Sequence, residues 1–152
     1  MKHPVLGEIT QENGNEEGSA SVLYGDRKIK FRISGDEISY DEAVEVAADL
    51  VQQLSKLDAR AKQLAASGLI ETYNNGWNEY DEKQEDGTYK TVRKPKLTPE
   101  EFAGKLKLRS VNVTGEMLDF FYDDENMFWG HSVLVTSMDG VVFADTSVEI
   151  FG

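Results

Sequence analysis

Asp123, Asp124 and His131 are the residues whose types and spacing come nearest to a chemical site. They sit in Phe120-Phe-Tyr-Asp-Asp-Glu-Asn-Met-Phe-Trp-Gly-His131. These twelve residues hold five aromatics, four acid or amide side chains and one of the chain's two histidines. A histidine beside a carboxylate is the minimal equipment of a small hydrolase, the imidazole serving as general base. The oxygens of Asp123, Asp124, Glu125 and Asn126 could hold a weak cation. An EF-hand, however, needs ligands at alternate positions, a central glycine and a closing glutamate, and this segment has no such pattern. Four acid or amide residues between strands fit a turn better, because Asp and Asn bond their own backbone and tolerate left-handed conformations. Ser132 follows His131 directly, so in a strand it points to the opposite face, which weakens a Ser–His pairing.

Other chemistries lack their residues. G-x-G-x-x-G, G-x-x-x-x-G-K-[ST] and G-x-S-x-G are absent, so neither a phosphate loop nor a nucleophile elbow is expected. The chain has no cysteine, which excludes disulfides, thiolate nucleophiles and cysteine-bound metal. With two histidines, one of them in an N-terminus expected to be flexible, no His-based metal site of two or more ligands is expected, nor is a cofactor.

The elements that must position these residues can be traced by periodicity. Asp139-Gly140 reads as a two-residue hairpin turn. That loop would pair Met138 with Val141, Val133 with Thr146, His131 with Val148 and Trp129 with Ile150. Trp129, His131, Val133, Val135, Val142, Ala144, Val148 and Ile150 would then share one, mostly apolar, face. On this reading Trp129 is a structural core anchor and His131 a structural residue at or near the buried face. Upstream, Pro4–Thr10 reads as a short strand and Gln11–Gly18 as a polar turn. Ser19–Tyr24 and Arg27–Ser34 form a hairpin across Gly25-Asp26. Ile29, Phe31 and Ile33 alternate with Lys28, Lys30 and Arg32, which gives one core face and one basic, solvated face, as in an antiparallel sheet. Ser39-Tyr-Asp-Glu42 is a capping-box signature for a helix over Tyr40–Ser67. Its apolar stripe is Ala47, Leu50, Leu54, Leu57, Ala61 and Leu64, and Gly68 should end it. Glu71–Lys96 is either a protruding two-stranded ribbon or a partly ordered arm. Thr98-Pro-Glu-Glu101 opens a short second helix, and Leu108–Thr114 returns to strand.

The 152 residues fit a single domain, and the fold class expected is α+β. A mostly antiparallel sheet carries one long amphipathic helix on one face, with a short second helix. No apolar run is long enough to span a membrane, and Met1-Lys2-His3-Pro4 does not start a signal peptide. Net charge is −12, which argues against nucleic acid. Between Lys90 and Arg109, seven basic residues against two acidic ones give +5, leaving −17 elsewhere. That excess suits a basic protein partner. The carboxylates expected to meet it are Asp119, Asp123, Asp124 and Glu125 near the hairpin, and Asp36, Glu37, Asp41 and Glu42 at the helix start.

The segments Thr98-Pro-Glu-Glu-Phe102, Leu106-Lys-Leu108, Val111-Asn-Val113, Asp123-Asp124, Phe128-Trp-Gly-His-Ser132 and Ile150-Phe-Gly152 resemble a family of uncharacterised bacterial domains with a C-terminal Phe-Trp-Gly-His hairpin. The resemblance covers the last third of the chain well and the Tyr40–Ser67 helix loosely. It implies a bacterial, cytoplasmic α+β domain and brings no catalytic residues. Loosely related acidic domains act as immunity proteins beside secreted toxins, by analogy alone. The expectation is therefore a non-catalytic, acidic, immunity-like protein-binding module. The alternative is a small hydrolase or weak cation-binding protein with its site around Asp123, Asp124 and His131.

Overall fold

The alternation of apolar and polar residues along successive segments produces one large sheet with one buried face. The computed structural model describes residues 1–152 except Asn13 and Asn15. A small hairpin, β1 (Lys2–His3) and β2 (Gly7–Glu8), leads into β3 (Thr10–Glu12), β4 (Glu17–Tyr24) and β5 (Arg27–Ser34). Helices α1 (Tyr40–Gln52) and α2 (Leu54–Thr72) follow, then a ribbon of β6 (Glu79–Lys83) and β7 (Tyr89–Arg93). After α3 (Pro99–Gly104) the chain adds β8 (Lys107–Thr114), β9 (Met117–Asp123), β10 (Ser132–Ser137) and β11 (Thr146–Phe151). The main sheet has the order β11-β10-β9-β8-β5-β4-β3. Among the described residues only β5 and β8 pair in parallel, since the long helical crossover between them restores the chain direction. The fold is α+β with a mostly antiparallel sheet, as the alternation predicts.

The core lies between the sheet and the two long helices. Ile29, Phe31 and Ile33 are buried, and so are Val111, Val113, Leu118, Phe120, Tyr122, Val133 and Val135. Small side chains at Ala43, Ala47, Ala61 and Ala65, all fully buried, let the helices lie close to that face. Lys28, Lys30 and Arg32 point to the exposed face, as their alternation requires.

Three sequence expectations change in detail. Pro4–Thr10 is no single strand: the chain turns between β1 and β2 before β3 begins. The turn expected over Gln11–Gly18 is shortened by β3 and β4, and its Asn13 and Asn15 lie outside the described residues. The helix expected over Tyr40–Ser67 breaks at Gln53 (φ −116°, ψ 13°), whose N–H bonds Leu50 O at 3.0 Å. It then passes through Gly68 to Thr72 and a π turn at Tyr73–Trp77. Leu69 and Tyr73 beyond the glycine are buried, so continued packing outweighs the stop signal. The exposed Gly68 faces Val148 of β11.

The C-terminal register also departs from the two-residue loop. Val133 pairs with Ile150, Val135 with Val148 and Ser137 with Thr146. The connection is a longer loop containing a 3-10 turn at Gly140–Val142, with Phe143 in the left-handed region (φ 58°). Asp139 shapes it, accepting hydrogen bonds from Ser137 Oγ and from the Ala144 and Asp145 N–H groups at 3.0–3.2 Å. Burying Phe143 against Phe120, with ring centroids 5.4 Å apart, favours the wider loop. Val142 and Ala144, expected on the core face, are exposed, whereas Phe128 and Phe143, which strict alternation would put on the other face, are buried.

Candidate functional site

The residues that looked chemical in sequence are joined to structural partners. Asp123 closes β9 and pairs with Arg109 Nη1 at 2.9 Å. Asp124 is 4% exposed. Its carboxylate accepts the backbone N–H groups of Asn126 at 3.0 Å and Phe128 at 3.2 Å, which folds the acid run into a turn. Burial holds the Asp124 carboxyl above the usual carboxylate range, against the opposing pull of those two bonds. Glu125 faces Lys105 at 3.9 Å, and Glu125 and Asn126 both adopt left-handed backbone. Among the described residues no group of three or more His, Asp or Glu side chains is arranged to hold a metal.

His131 and Trp129 precede β10 instead of sitting in it, so the expected pairing with Val148 and Ile150 does not form. His131 is half-buried and its ring meets Trp77 edge-on, with centroids 5.9 Å apart. Trp129 corrects the expectation of a core anchor: it is 40% exposed, at φ 54°. Its indole N–H donates to Trp77 O at 3.2 Å, its ring lies 5.3 Å from Tyr80, and Lys94 Nζ sits 5.4 Å from the ring centre. Phe128, fully buried, is the aromatic that anchors this turn, against Tyr73, Trp77 and Phe102. The turn thereby pins the base of the β6–β7 ribbon, which Asn78 also ties down through Lys94 O.

The two acidic groups lie at opposite ends of β9. Asp36 packs beside Gly115, at the β9 start, while Asp123 ends a seven-residue strand, about 20 Å away at roughly 3.4 Å per residue. Asp119, between them, accepts the Thr136 hydroxyl at 2.7 Å on the outer face of the sheet. Asp41 and Glu42 occupy the first turn of α1, where the helix dipole favours anions. Ser39 Oγ accepts the Glu42 N–H and donates to the Glu42 carboxylate, both at 3.1 Å.

A cleft of about 510 Å³ opens between α1 and the 3-10 turn. Five carboxylates line it: Glu42, Glu45, Asp49, Glu116 and Asp139. The other lining residues are Val46, Gly140, Val141 and Val142. Glu116 also borders an adjoining hollow with Asp36, Glu37 and Met138. Neither hollow is lined by a lysine or arginine. Val142 and Met138 are 73% and 55% exposed. Desolvation pulls the Asp139 carboxyl up, but its three hydrogen-bond donors outweigh it and hold the group below the usual range. His3, expected in a flexible terminus, is fixed at this border. Its Nε2 lies 3.1 Å from Glu45 Oε1, and its Nδ1 accepts the Val5 and Leu6 N–H groups.

One buried polar cluster gave no motif. Asp58 is 4% exposed on the apolar stripe of α2. It accepts the hydroxyls of Tyr24 at 2.8 Å and Tyr122 at 2.7 Å, with Lys62 Nζ at 3.4 Å. Burial first, then the Asp58 carboxylate, raises both phenols, that of Tyr24 to about 12. The one sequence signal is a carboxylate placed between Leu57 and Ala61, on the face that periodicity assigns to the core.

No helix among the described residues is long and apolar enough to cross a membrane. No curated protein and no solved structure matches the chain. The model of a family described as an uncharacterised protein conserved in bacteria matches residues 3–145, so it covers the helices, the ribbon, the acidic cleft and the main sheet apart from β11. This chain belongs to that bacterial family, DUF2262.

Proposed function

We propose that the protein is a non-catalytic binding module whose acidic cleft beside α1 receives a basic segment of a protein partner. The observation that carries this reading is the cleft's composition: five carboxylates around a projecting valine, with no lysine or arginine in the lining. Some carboxylates outside the cleft do meet cations, as Asp123 meets Arg109 and Glu79 meets Arg93. A carboxylate rim around exposed Val142 and Met138 complements a partner that presents both positive charge and apolar side chains. An immunity-like role, blocking the cationic cleft of a secreted toxin, is one form this binding takes.

The reading moves the working surface. Asp36, Glu37 and Glu42 stay in it, and Asp41 flanks it on α1. Asp119, Asp123, Asp124 and Glu125 lie outside it, held by Thr136, Arg109, backbone N–H groups and Lys105. The hydrolase or cation-site alternative loses support as well, because Asp123 is paired with Arg109, Asp124 accepts backbone N–H groups and the His131 ring packs edge-on against Trp77.

The test captures partners from bacterial lysate on the immobilised chain at low salt, then measures association of the purified partner. Reversing Glu42, Asp49 and Glu116 to lysine should slow association by about an order of magnitude. Raising salt should slow it as well, since exposed charges are screened within about 8 Å at physiological ionic strength. A partner that tolerates the three reversals, or binds independently of salt, overturns the reading.

A further inference from the structure

The sheet face turned away from the helices carries a second, chemically opposite surface. Strand register places Lys30 between Ser21 of β4 and Ser110 of β8, and Arg32 between Ser19 and Asn112. Neighbouring strands lie about 4.8 Å apart, so each cationic head can share a ligand with the neutral side chains beside it. Arg32, Lys30, Ser19, Asn112, Ser34 and Thr114 line one hollow of about 160 Å³.

The surroundings of these two cations differ from those of the four cations that meet carboxylates. Lys62, Arg93, Lys105 and Arg109 each form an ion pair. Lys30 and Arg32 form none among the described residues, in a chain with 28 acidic residues against 16 basic ones. Asp119, one strand beyond Asn112, is turned to Thr136. The side chains of Ser19 and Asn112 make no hydrogen bond to any described residue, so their donors point at the hollow or at solvent.

We propose that this hollow binds one small oxyanion, the phosphate or carboxylate group of a small molecule. Arg32 would supply a planar two-donor fork, Lys30 a point charge, and Ser19 and Asn112 neutral donors. Glu12 and Glu17 close one end of the hollow. A chain of phosphates running along the strands meets those carboxylates, so a single anionic group fits where a nucleic acid does not. This site lies on the opposite face of the sheet from the helices, and it stands or falls separately from the acidic cleft.

The experiment is an amide-resolved NMR titration of the full chain with inorganic phosphate and, separately, with acetate. Saturable shifts at Ser19, Arg32 and Asn112, at millimolar ligand, are expected. Arg32→Gln should weaken binding roughly tenfold, the loss of one charged hydrogen-bonding partner. Lys30→Gln should weaken it less, and Glu17→Gln should strengthen it. Because Lys30 and Arg32 are exposed, both variants should keep the wild-type melting temperature. Tighter binding of phosphate than of acetate identifies a phosphorylated ligand, and the reverse a carboxylate. The proposal is overturned if shifts fail to saturate, if they spread evenly over all lysines, or if Arg32→Gln binds like wild type. It is also overturned if a single-stranded oligonucleotide binds these residues more tightly than phosphate.

Discussion

Asp58 holds α2 to the sheet through two tyrosine hydroxyls from different strands, Tyr24 of β4 and Tyr122 of β9. Asp58→Ala leaves both hydroxyls and Lys62 without their acceptor, and should cost about 3 kcal/mol in a urea melt. Asp58→Asn, which keeps one acceptor oxygen, should cost less. The same cluster sets an alkaline limit. Tyr24 and Tyr122 hold their protons more tightly folded than unfolded, Tyr24 with a pKa of about 12 against an ordinary 10.0. Their contribution is fully present below about pH 10, the ordinary phenol value, and is lost as pH rises toward 12 and beyond. Stability measured across that window should fall, and Tyr122→Phe should make the fall shallower. His131 belongs to the same scale. Half-buried and edge-on to Trp77, it should cost about 1 kcal/mol on truncation to Ala, a packing loss with no buried acceptor left behind.

At the scale of elements, α2 carries a flaw that its packing tolerates. Gly68 lies inside the helix, and a Cβ there would sit 3.5 Å from Val148, an ordinary contact. Gly68→Ala should therefore stabilise the protein by about 0.5–1 kcal/mol in a thermal or chemical melt. Helix α3 shows the opposite agreement. Thr98 Oγ1 accepts the Glu101 N–H at 3.2 Å and Glu101 returns a bond to the Thr98 N–H at 3.0 Å, with Pro99 at the first position. That start was legible from four residues because every participant is local. The end of α2 was not, because Leu69 and Tyr73 gain their burial from strands and from α3, far away in sequence.

At the scale of the whole molecule, −12 net charge is distributed unevenly. The acidic cleft beside α1 gathers carboxylates from Glu42 to Asp139, nearly a hundred residues apart in the chain, while cations gather on the outer face of β5. Self-repulsion of the excess negative charge should make the folded state more stable as salt rises from low ionic strength at neutral pH. A melting temperature that falls with added sodium chloride would show that ion pairs such as Arg109–Asp123 outweigh the repulsion. The charge total was visible in composition, but its gathering into one cleft was not: Glu116 and Asp139 join α1 only through the ends of β9 and β10.

Sequence alone determined the features that depend on neighbours within a turn or two. The inward face Ile29, Phe31, Ile33, the Gly25-Asp26 hairpin, the starts of α1 and α3 and the α+β class follow from periodicity and capping, which are local. Tertiary structure decided what required choosing among distant partners. Asp139-Gly140 has the chemistry of a two-residue turn, yet burying Phe143 against Phe120 and satisfying the Asp139 carboxylate favour a longer loop. That choice shifts the register of β11 by four residues, moves Trp129 and His131 out of the ladder, and puts Phe128 in the core. It also projects Val142 into the acidic cleft. Local preferences of this kind differ by about 1 kcal/mol, whereas burying one aromatic side chain is worth about 1.5–3 kcal/mol, so packing overrules the turn.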